Sequence, residues 1–175
     1  MSDLSFRKAT KEDAAQIAAL VNSAYRGESS KQGWTTEADF LGGQRTDEGE
    51  ITKLIEADGS LILLCFQENE MIGSVHLERS DAGAYLGMFT VKPTLQARGI
   101  GKRFLEVAER TVQTEWGAKR IVMAVITRRT ELIAFYERRG YRRTGRFETF
   151  PNDIKFGIPT VPDLRFELLE KTLTL

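Results

Sequence analysis

The apolar positions change period several times along the chain, and each change marks an element. Residues 4–8 (LSFRK) alternate apolar and polar, as a half-buried strand does. From Ala14 onward Ile17, Ala18, Val21 and Tyr25 share one helical face. Thr10 with Asp13 has capping-box spacing before them, and Gly27 supplies the stop. Asp47 is placed to cap a second helix that ends at Asp58-Gly59. LILLCFQ (61–67) and MIGSVHLE (71–78), joined through Glu68-Asn69-Glu70, predict a hairpin. AYLGMFTV (84–91) is a third strand in this region, closed by Pro93. Ile100, Phe104, Leu105, Ala108 and Val112 then repeat with helical period between Gly99 and Gly117. RIVMAVI (120–126) is an unbroken apolar run, the pattern of a central strand covered on both faces. A helix over 130–139 ended by Gly140, then strands over 141–148 and 164–169, complete the order. Residues 27–47, and a Pro/Gly-containing loop over 150–163, break the pattern. The first stretch is rich in Gly, Ser and Thr and holds at most a short helix near Thr35.

The order β-α-α-β-β-β-α-β-α-β-β predicts an α/β fold in a single domain over residues 1–175. Its sheet is mixed and mainly antiparallel, with helices on both faces and one strand–helix–strand unit that pairs in parallel. Ligands in such sheets favour the place where neighbouring strands part.

Composition narrows this picture mainly by exclusion. Hydrophobic residues make up 41% and charged residues 29%, so a core is affordable and disorder is not indicated. No run of 18 apolar residues exists, and no membrane span is expected. The opening MSDLSFRKAT lacks the apolar core of a secretory signal, so a cytoplasmic location is expected. One cysteine, Cys65, excludes an internal disulfide and a Cys-cluster metal site, and one histidine, His76, excludes a site needing two. Net charge is zero, yet residues 1–91 carry 8 Lys/Arg against 15 Asp/Glu, and residues 92–175 carry 17 against 10. That split, −7 and +7, is either uneven solvated surface or a polyanion held by the second half with something cationic near the first.

The most informative segment runs from Val91 to Lys102, VKPTLQARGIGK. A strand ends, a loop follows, and two glycines open a helix. Glycine admits close approach, and free N–H groups of a first helical turn with the helix dipole make an anion site suited to phosphates. Arg98, Lys102 and Arg103 add charge. A P-loop and the G-x-G-x-x-G pattern are both absent. A second segment, Tyr136-Glu137-Arg138-Arg139-Gly140-Tyr141, puts a tyrosine one turn before a helix stop, where core packing is the ordinary role.

Together these segments resemble the GNAT superfamily of acyl-CoA-dependent N-acyltransferases. The family's [QR]-x-x-G-x-[GA] loop matches Gln96-Ala97-Arg98-Gly99-Ile100-Gly101, its Val-x-Pro lead-in matches Val91-Lys92-Pro93, and its Tyr-Glu-x-x-Gly-[FY] helix end matches Tyr136–Tyr141. The likeness spans residues 4–148 in element order. It implies a splayed parallel strand pair that forms a coenzyme A slot, with acetyl-CoA as co-substrate and no metal. It implies that the backbone of Met88, Phe89, Thr90 and Val91 takes the pantetheine arm like an added strand. Phosphates would then lie on the Gln96–Gly101 loop and Lys102, within residues 92–146, which hold 14 Lys/Arg against 5 Asp/Glu. Gly87 is the expected bulge that splays the strand, and the Phe89 N–H the expected oxyanion donor. Tyr136 is the implied catalytic proton donor to the departing thiolate. At Arg129 many members carry an Asn that contacts the cofactor; an arginine there reaches a phosphate or points to solvent.

The acceptor implied is a primary amine of a small molecule or peptide. Substrate-binding candidates are Trp34, Glu37 and Arg45, with Asp47 beside them and Phe150, Pro151 and Pro159 as further walls. Carboxylates would suit a cationic amine, whereas Arg45 would suit an acceptor that also carries a carboxylate. For the general base Glu37, Glu78 and Tyr85 stay open. Cys65 reads as buried filling, and His76 as structural or as a proton relay. Two other classes compete: a non-catalytic acyl-CoA-binding regulatory module, and a nucleic-acid binder using Arg138, Arg139, Arg142, Arg143 and Arg146. The last is disfavoured because alternate strand residues point oppositely. Neither a nucleic-acid nor a membrane partner is expected, and a homodimer stays open.

Overall fold

In the computed structural model, which describes residues 3–26, 41–42, 45–81, 83–96, 98–149, 158–160 and 164–174, the apolar periods become seven strands of one sheet. These are β1 (Leu4–Lys8), β2 (Ser60–Gln67), β3 (Glu70–Ser80), β4 (Gly83–Val91), β5 (Arg120–Ile126), β6 (Arg142–Thr149) and β7 (Arg165–Thr172). The helices among the described residues are α1 (Ala14–Tyr25), α2 (Glu48–Glu56), α3 (Ile100–Trp116) and α4 (Thr130–Arg138). Strand order is β1-β2-β3-β4-β5-β7-β6, antiparallel throughout except for the parallel pair β4 and β5. A separate two-residue ladder joins Leu41–Gly42 to Ile158–Pro159. Gly27 and the short helix expected near Thr35 lie outside the described residues.

Local chemistry sets the element ends. Thr10 and Asp13 form the capping box, with the Thr10 N–H donating to the Asp13 carboxylate at 2.8 Å. Asp47 caps α2 by accepting from the Glu50 N–H at 2.8 Å. Glu68 and Asn69, with φ of 51° and 69°, make the tight turn between β2 and β3. Gly117 closes α3 in the left-handed region at φ 62°.

The run LILLC (61–65) is apolar throughout because both its faces are buried. Leu61, Leu63 and Cys65 pack with Phe104, Leu105 and Ala108 of α3. Ile62 and Leu64 pack on the other face with Ile17 and Val21 of α1 and Ile51 of α2. Each such side chain stabilises the fold by about 1.5–3 kcal/mol, so both helix layers are held to the sheet. β5 differs from the expectation. Ile121, Met123 and Val125 enter the α3-side core, but Ala124 is half-buried and lines a cleft rather than a helix.

That cleft follows from strand pairing. β4 and β5 pair only at Ala84–Ile121 and Tyr85–Val122 and part beyond Tyr85. β5 stays in register with β7 along its whole length, so β4 is the strand that leaves. Its register with β3 passes from His76–Gly87 to Ser74–Thr90, which puts Met88 and Phe89 outside the ladder. Met88 is the residue in the left-handed region, at φ 48°. The bulge therefore starts one residue later than expected. Gly87 stays paired, and a Cβ there would stand 2.9 Å from the Tyr85 ring, so its smallness provides clearance.

Candidate active site

Two cavities of about 300 Å³ each open where β4 and β5 part. Tyr25, Phe89, Arg129 and Leu132 line both, so the two share a wall.

The first cavity lies at the start of α3. Gly99 caps that helix at φ 82°, a conformation that side chains rarely adopt, although a Cβ would meet nothing within 4 Å. The first helical hydrogen bond runs from the Arg103 N–H to the Gly99 carbonyl at 3.2 Å. The N–H groups of Ile100, Gly101 and Lys102 precede it and belong to the orphan donors of a helix start. Lys102, Arg138 and Arg139 add positive charge to the same cavity. Arg139 lies 4.0 Å over the Phe135 ring and donates to the Phe135 carbonyl at 3.2 Å. Backbone donors, a helix dipole and four cations, Arg129 among them, suit this cavity to an anion.

The parted end of β4 is held by side chains. The Thr90 hydroxyl donates to the Met88 carbonyl at 2.9 Å, the Tyr25 hydroxyl to the Phe89 carbonyl at 2.8 Å, and the Gln96 amide to the Val91 carbonyl at 2.9 Å. These bonds fix the bulge against the end of α1 and the loop before α3. The Phe89 ring is braced by Phe104 and by Tyr136, with centroids 5.4 and 6.4 Å away.

The second cavity lies between the parted strands. Tyr136 is on its wall, buried and packed edge-on against Phe135 and Tyr141. Behind it the Tyr141 hydroxyl and the Lys171 ammonium each donate to Glu109 at 2.9 Å. Burial, then Glu109, raises the Tyr141 pKa far above its ordinary value, so Tyr141 keeps its proton. Arg26, Arg45, Tyr85 and Glu148 also line this cavity. Arg26 and Arg129 are buried at 5% exposure each. The guanidinium carbons of Arg45 and Arg129 lie 5.8 and 5.7 Å from the centre of the Tyr25 ring. Burial raises the Tyr85 pKa, Glu148 and Glu78 raise it further, and Arg45 opposes them.

The model of the acetyltransferase (GNAT) family matches residues 15–141. The chain belongs to the GNAT acetyltransferase family. Compared by sequence with curated proteins, it finds no significant match. Its fold is shared with an acetyltransferase of the GNAT family from Streptococcus pneumoniae, at 20% identity and a TM-score of 0.67 over 98% of this chain and 100% of that one. It is also shared with the ribosomal-protein-S18-alanine N-acetyltransferase of Escherichia coli, at 13% identity and 0.71 over 99% and 96%. A third is the PaiA N-acetyltransferase of Thermoplasma acidophilum in complex with coenzyme A, at 17% and 0.65 over 98% and 99%.

In this GNAT chain the residues singled out from sequence fall into groups. Phe89, Thr90, Val91, Gln96, Gly99, Gly101 and Lys102 line the first cavity, and Arg129 lines both. Met88 packs its side chain against α1 and borders the second cavity. Ile100 is a core residue, and Arg98 is exposed and lines neither cavity. Arg45 and Tyr136 line the second cavity, whereas Asp47 is spent on its helix cap and Glu78 lines neither. Trp34, Glu37, Ala97, Phe150 and Pro151 lie outside the described residues. Pro159 sits in the two-residue ladder.

His76 lines neither cavity. Its Nε2 is 2.9 Å from the Ser60 hydroxyl, which donates to the Leu54 carbonyl at 2.6 Å, so Nε2 carries the proton and donates to Ser60. Burial pushes the Cys65 thiol up to about 11, which removes it as a nucleophile. Arg142 and Arg146 share Glu170 with Arg120, and Arg143 pairs with Glu167, so these arginines are engaged within the sheet surface. Among the described residues no three His, Cys, Asp or Glu could hold a metal, and no helix is long and apolar enough to cross a membrane.

Sequence reasoning missed Tyr25, Arg26 and Glu148. The period of Tyr25 puts it on the packing face of α1, a role its ring shares with the cavity wall. Arg26 and Glu148 carry no local signal, since lone charges at a helix end and on a strand are ordinary.

Proposed function

We propose that the protein transfers an acetyl group from acetyl-CoA to a primary amine of a small molecule or peptide, by direct attack in a ternary complex. The observation that carries this is the meeting of the two cavities at the Met88–Phe89 bulge, with Tyr136 on the wall of one. In this reading the start of α3 with Lys102, Arg138 and Arg139 takes the phosphates, and the parted edge of β4 takes the pantetheine arm. The amine nitrogen attacks the thioester carbonyl carbon, and the Phe89 N–H, outside both strand ladders, holds the oxyanion that forms. The carbon–sulfur bond then breaks with its electron pair on sulfur, and the Tyr136 hydroxyl protonates the thiolate. The proton shed by the amine passes through water to Glu148 or solvent, and Tyr136 is reprotonated from solvent. Attack needs a neutral amine, and the guanidinium groups around the second cavity favour that form by lowering the amine pKa.

Thiol release from acetyl-CoA over a panel of amino acids, polyamines, aminoglycosides and peptides tests the reading. In Tyr136→Phe, kcat should fall about 10- to 100-fold while the melting temperature changes little. Positioned acid catalysis is worth about 10²–10⁴, and a thiolate with a pKa near 8.5 leaves tolerably without it. A folded Tyr136→Phe protein with wild-type kcat would remove Tyr136 from the mechanism. Binding of coenzyme A with no thiol release from any amine would favour the non-catalytic binding module.

A further inference from the structure

We propose that Thr90 is a positioning residue for acetyl transfer: its hydroxyl fixes the Met88–Phe89 peptide so that the Phe89 N–H faces the thioester carbonyl. This rests on the reading of that N–H as the oxyanion donor. The Thr90 hydroxyl donates to the Met88 carbonyl at 2.9 Å, and Thr90 is buried at 1% exposure. The Met88 carbonyl and the Phe89 N–H belong to one peptide unit. No peptide bond among the described residues is cis, so the two groups point in opposite directions from the same plane. A hydroxyl that holds the carbonyl on one side therefore sets where the N–H points on the other.

The surroundings make this bond more than packing. Met88 stands at φ 48°, a left-handed conformation that costs a residue with a side chain about as much as one neutral hydrogen bond is worth. The bulge therefore needs such a bond to persist. Thr90 is itself anchored, since the ladder to β3 resumes there opposite Ser74, and the hydroxyl works from a fixed backbone. The peptide after Phe89 is held in the same way, with the Tyr25 hydroxyl on the Phe89 carbonyl at 2.8 Å. Hydroxyls thus hold both peptide units that flank the Phe89 Cα. The Phe89 N–H, outside both strand ladders, then needs no reorganisation when charge develops on the thioester oxygen. A hydroxyl on the carbonyl also polarises the shared peptide and strengthens its N–H as a donor.

Thr90→Val nearly keeps the shape and removes the donor, whereas Thr90→Ser keeps the hydroxyl. With the best amine of the panel at saturation, Thr90→Val should lower kcat about 10-fold, less than the loss of about 10²–10³ that removing an oxyanion donor outright causes. The acceptor KM and the acetyl-CoA affinity, read by calorimetry, should stay within about twofold, because the bond acts on the transition state. Thr90→Ser should regain most of the rate. Thr90→Ala reads the same loss if Thr90→Val fails to fold. A second readout needs no turnover: the infrared carbonyl stretch of bound acetyl-CoA, isotope-labelled at that carbonyl. A donor on the oxygen lowers this frequency, so it should lie below the solution value in wild type and move back toward it in Thr90→Val. A Thr90→Val protein with wild-type kcat and stretch overturns the proposal and leaves the transferase reading intact. A loss in acetyl-CoA affinity as large as that in kcat, or a Thr90→Ser protein as slow as Thr90→Val, overturns it as well. If no amine is acetylated, the stretch decides alone. A shift that Thr90→Val abolishes then supports the proposal, and an unshifted wild type overturns it together with the Phe89 assignment.

Discussion

Met88 and Gly99 adopt left-handed backbone conformations for different ends. At Gly99 the side chain is absent, and the helix start stays open to a ligand. Met88 carries a buried side chain, so the α1-side core holds its backbone against a cost of about 1–2 kcal/mol. His76 shows the same dependence on surroundings through its charge. Burial, aided by Arg45, pushes its pKa down to about 4, whereas in the unfolded chain it lies near 6.5. Between these values only the unfolded chain takes up the proton. Stability is therefore full above pH 6.5 and falls as pH drops toward 4. The loss from this one residue should reach about 2–3 kcal/mol at pH 4.5. Urea midpoints of wild type and His76→Gln at pH 7.5 and 4.5 measure it: the variant should lose less on acidification. Asp13, held down to about 2 by Arg7, loses its contribution only at lower pH and does not blur the window. Parallel losses in the two proteins would show that folded His76 takes up its proton as readily as the unfolded chain does.

At the scale of elements the sequence was readable almost throughout, because periods, caps and stops are local. The Thr10–Asp13 box, the Asp47 cap and the Gly117 stop were each visible within a few residues. The exact place of the bulge was not, since it depends on how β3 and β4 fall into register. The tie among α3, β7 and the end of α4 is equally non-local. Glu109 sits on α3 among core residues, yet it accepts from Tyr141 and Lys171, thirty-two and sixty-two positions onward. Its carboxylate is the shared partner, so Glu109→Ala strands a tyrosine hydroxyl and an ammonium together. The cost should be about 3 kcal/mol, at the low end for buried pairs because Lys171 keeps 26% of its side chain in water. Glu109→Gln retains an acceptor for one of the two and should cost less. Urea unfolding gives both values. An Ala variant within about 1 kcal/mol of wild type would mean that the network contributes only packing.

For the whole molecule, the zero net charge conceals a division of labour in the basic half. Arginines of β6 pair with Glu167 and Glu170 of β7, while Lys102, Arg138 and Arg139 gather at the first cavity. The first cavity was legible in sequence because much of it lies in one segment, residues 89–102. In the second, Arg45, Tyr85, Met88, Phe89, Arg129 and Tyr136 were legible one by one but not as a single site, since residues 25–26, 45, 85–89, 129, 136 and 148 meet there only after folding. The phosphate assignment can be tested with a variant in which stability and binding should move in opposite directions. Gly101 lies in the first turn of α3, and a Cβ there would stand 3.5 Å from Phe135, an ordinary contact. Gly101→Asp removes a helical glycine and sets a negative charge at the positive helix end, so without ligand the variant should be as stable as wild type, or more so by about 1 kcal/mol. That same charge faces the position assigned to the phosphates. Coenzyme A at a hundred times its dissociation constant should stabilise wild type by about 2.7 kcal/mol. The variant at the same ligand concentration should gain almost nothing. Its affinity by calorimetry should fall with it. A Gly101→Asp protein that melts normally and keeps the full ligand-induced shift would show that the phosphates bind elsewhere.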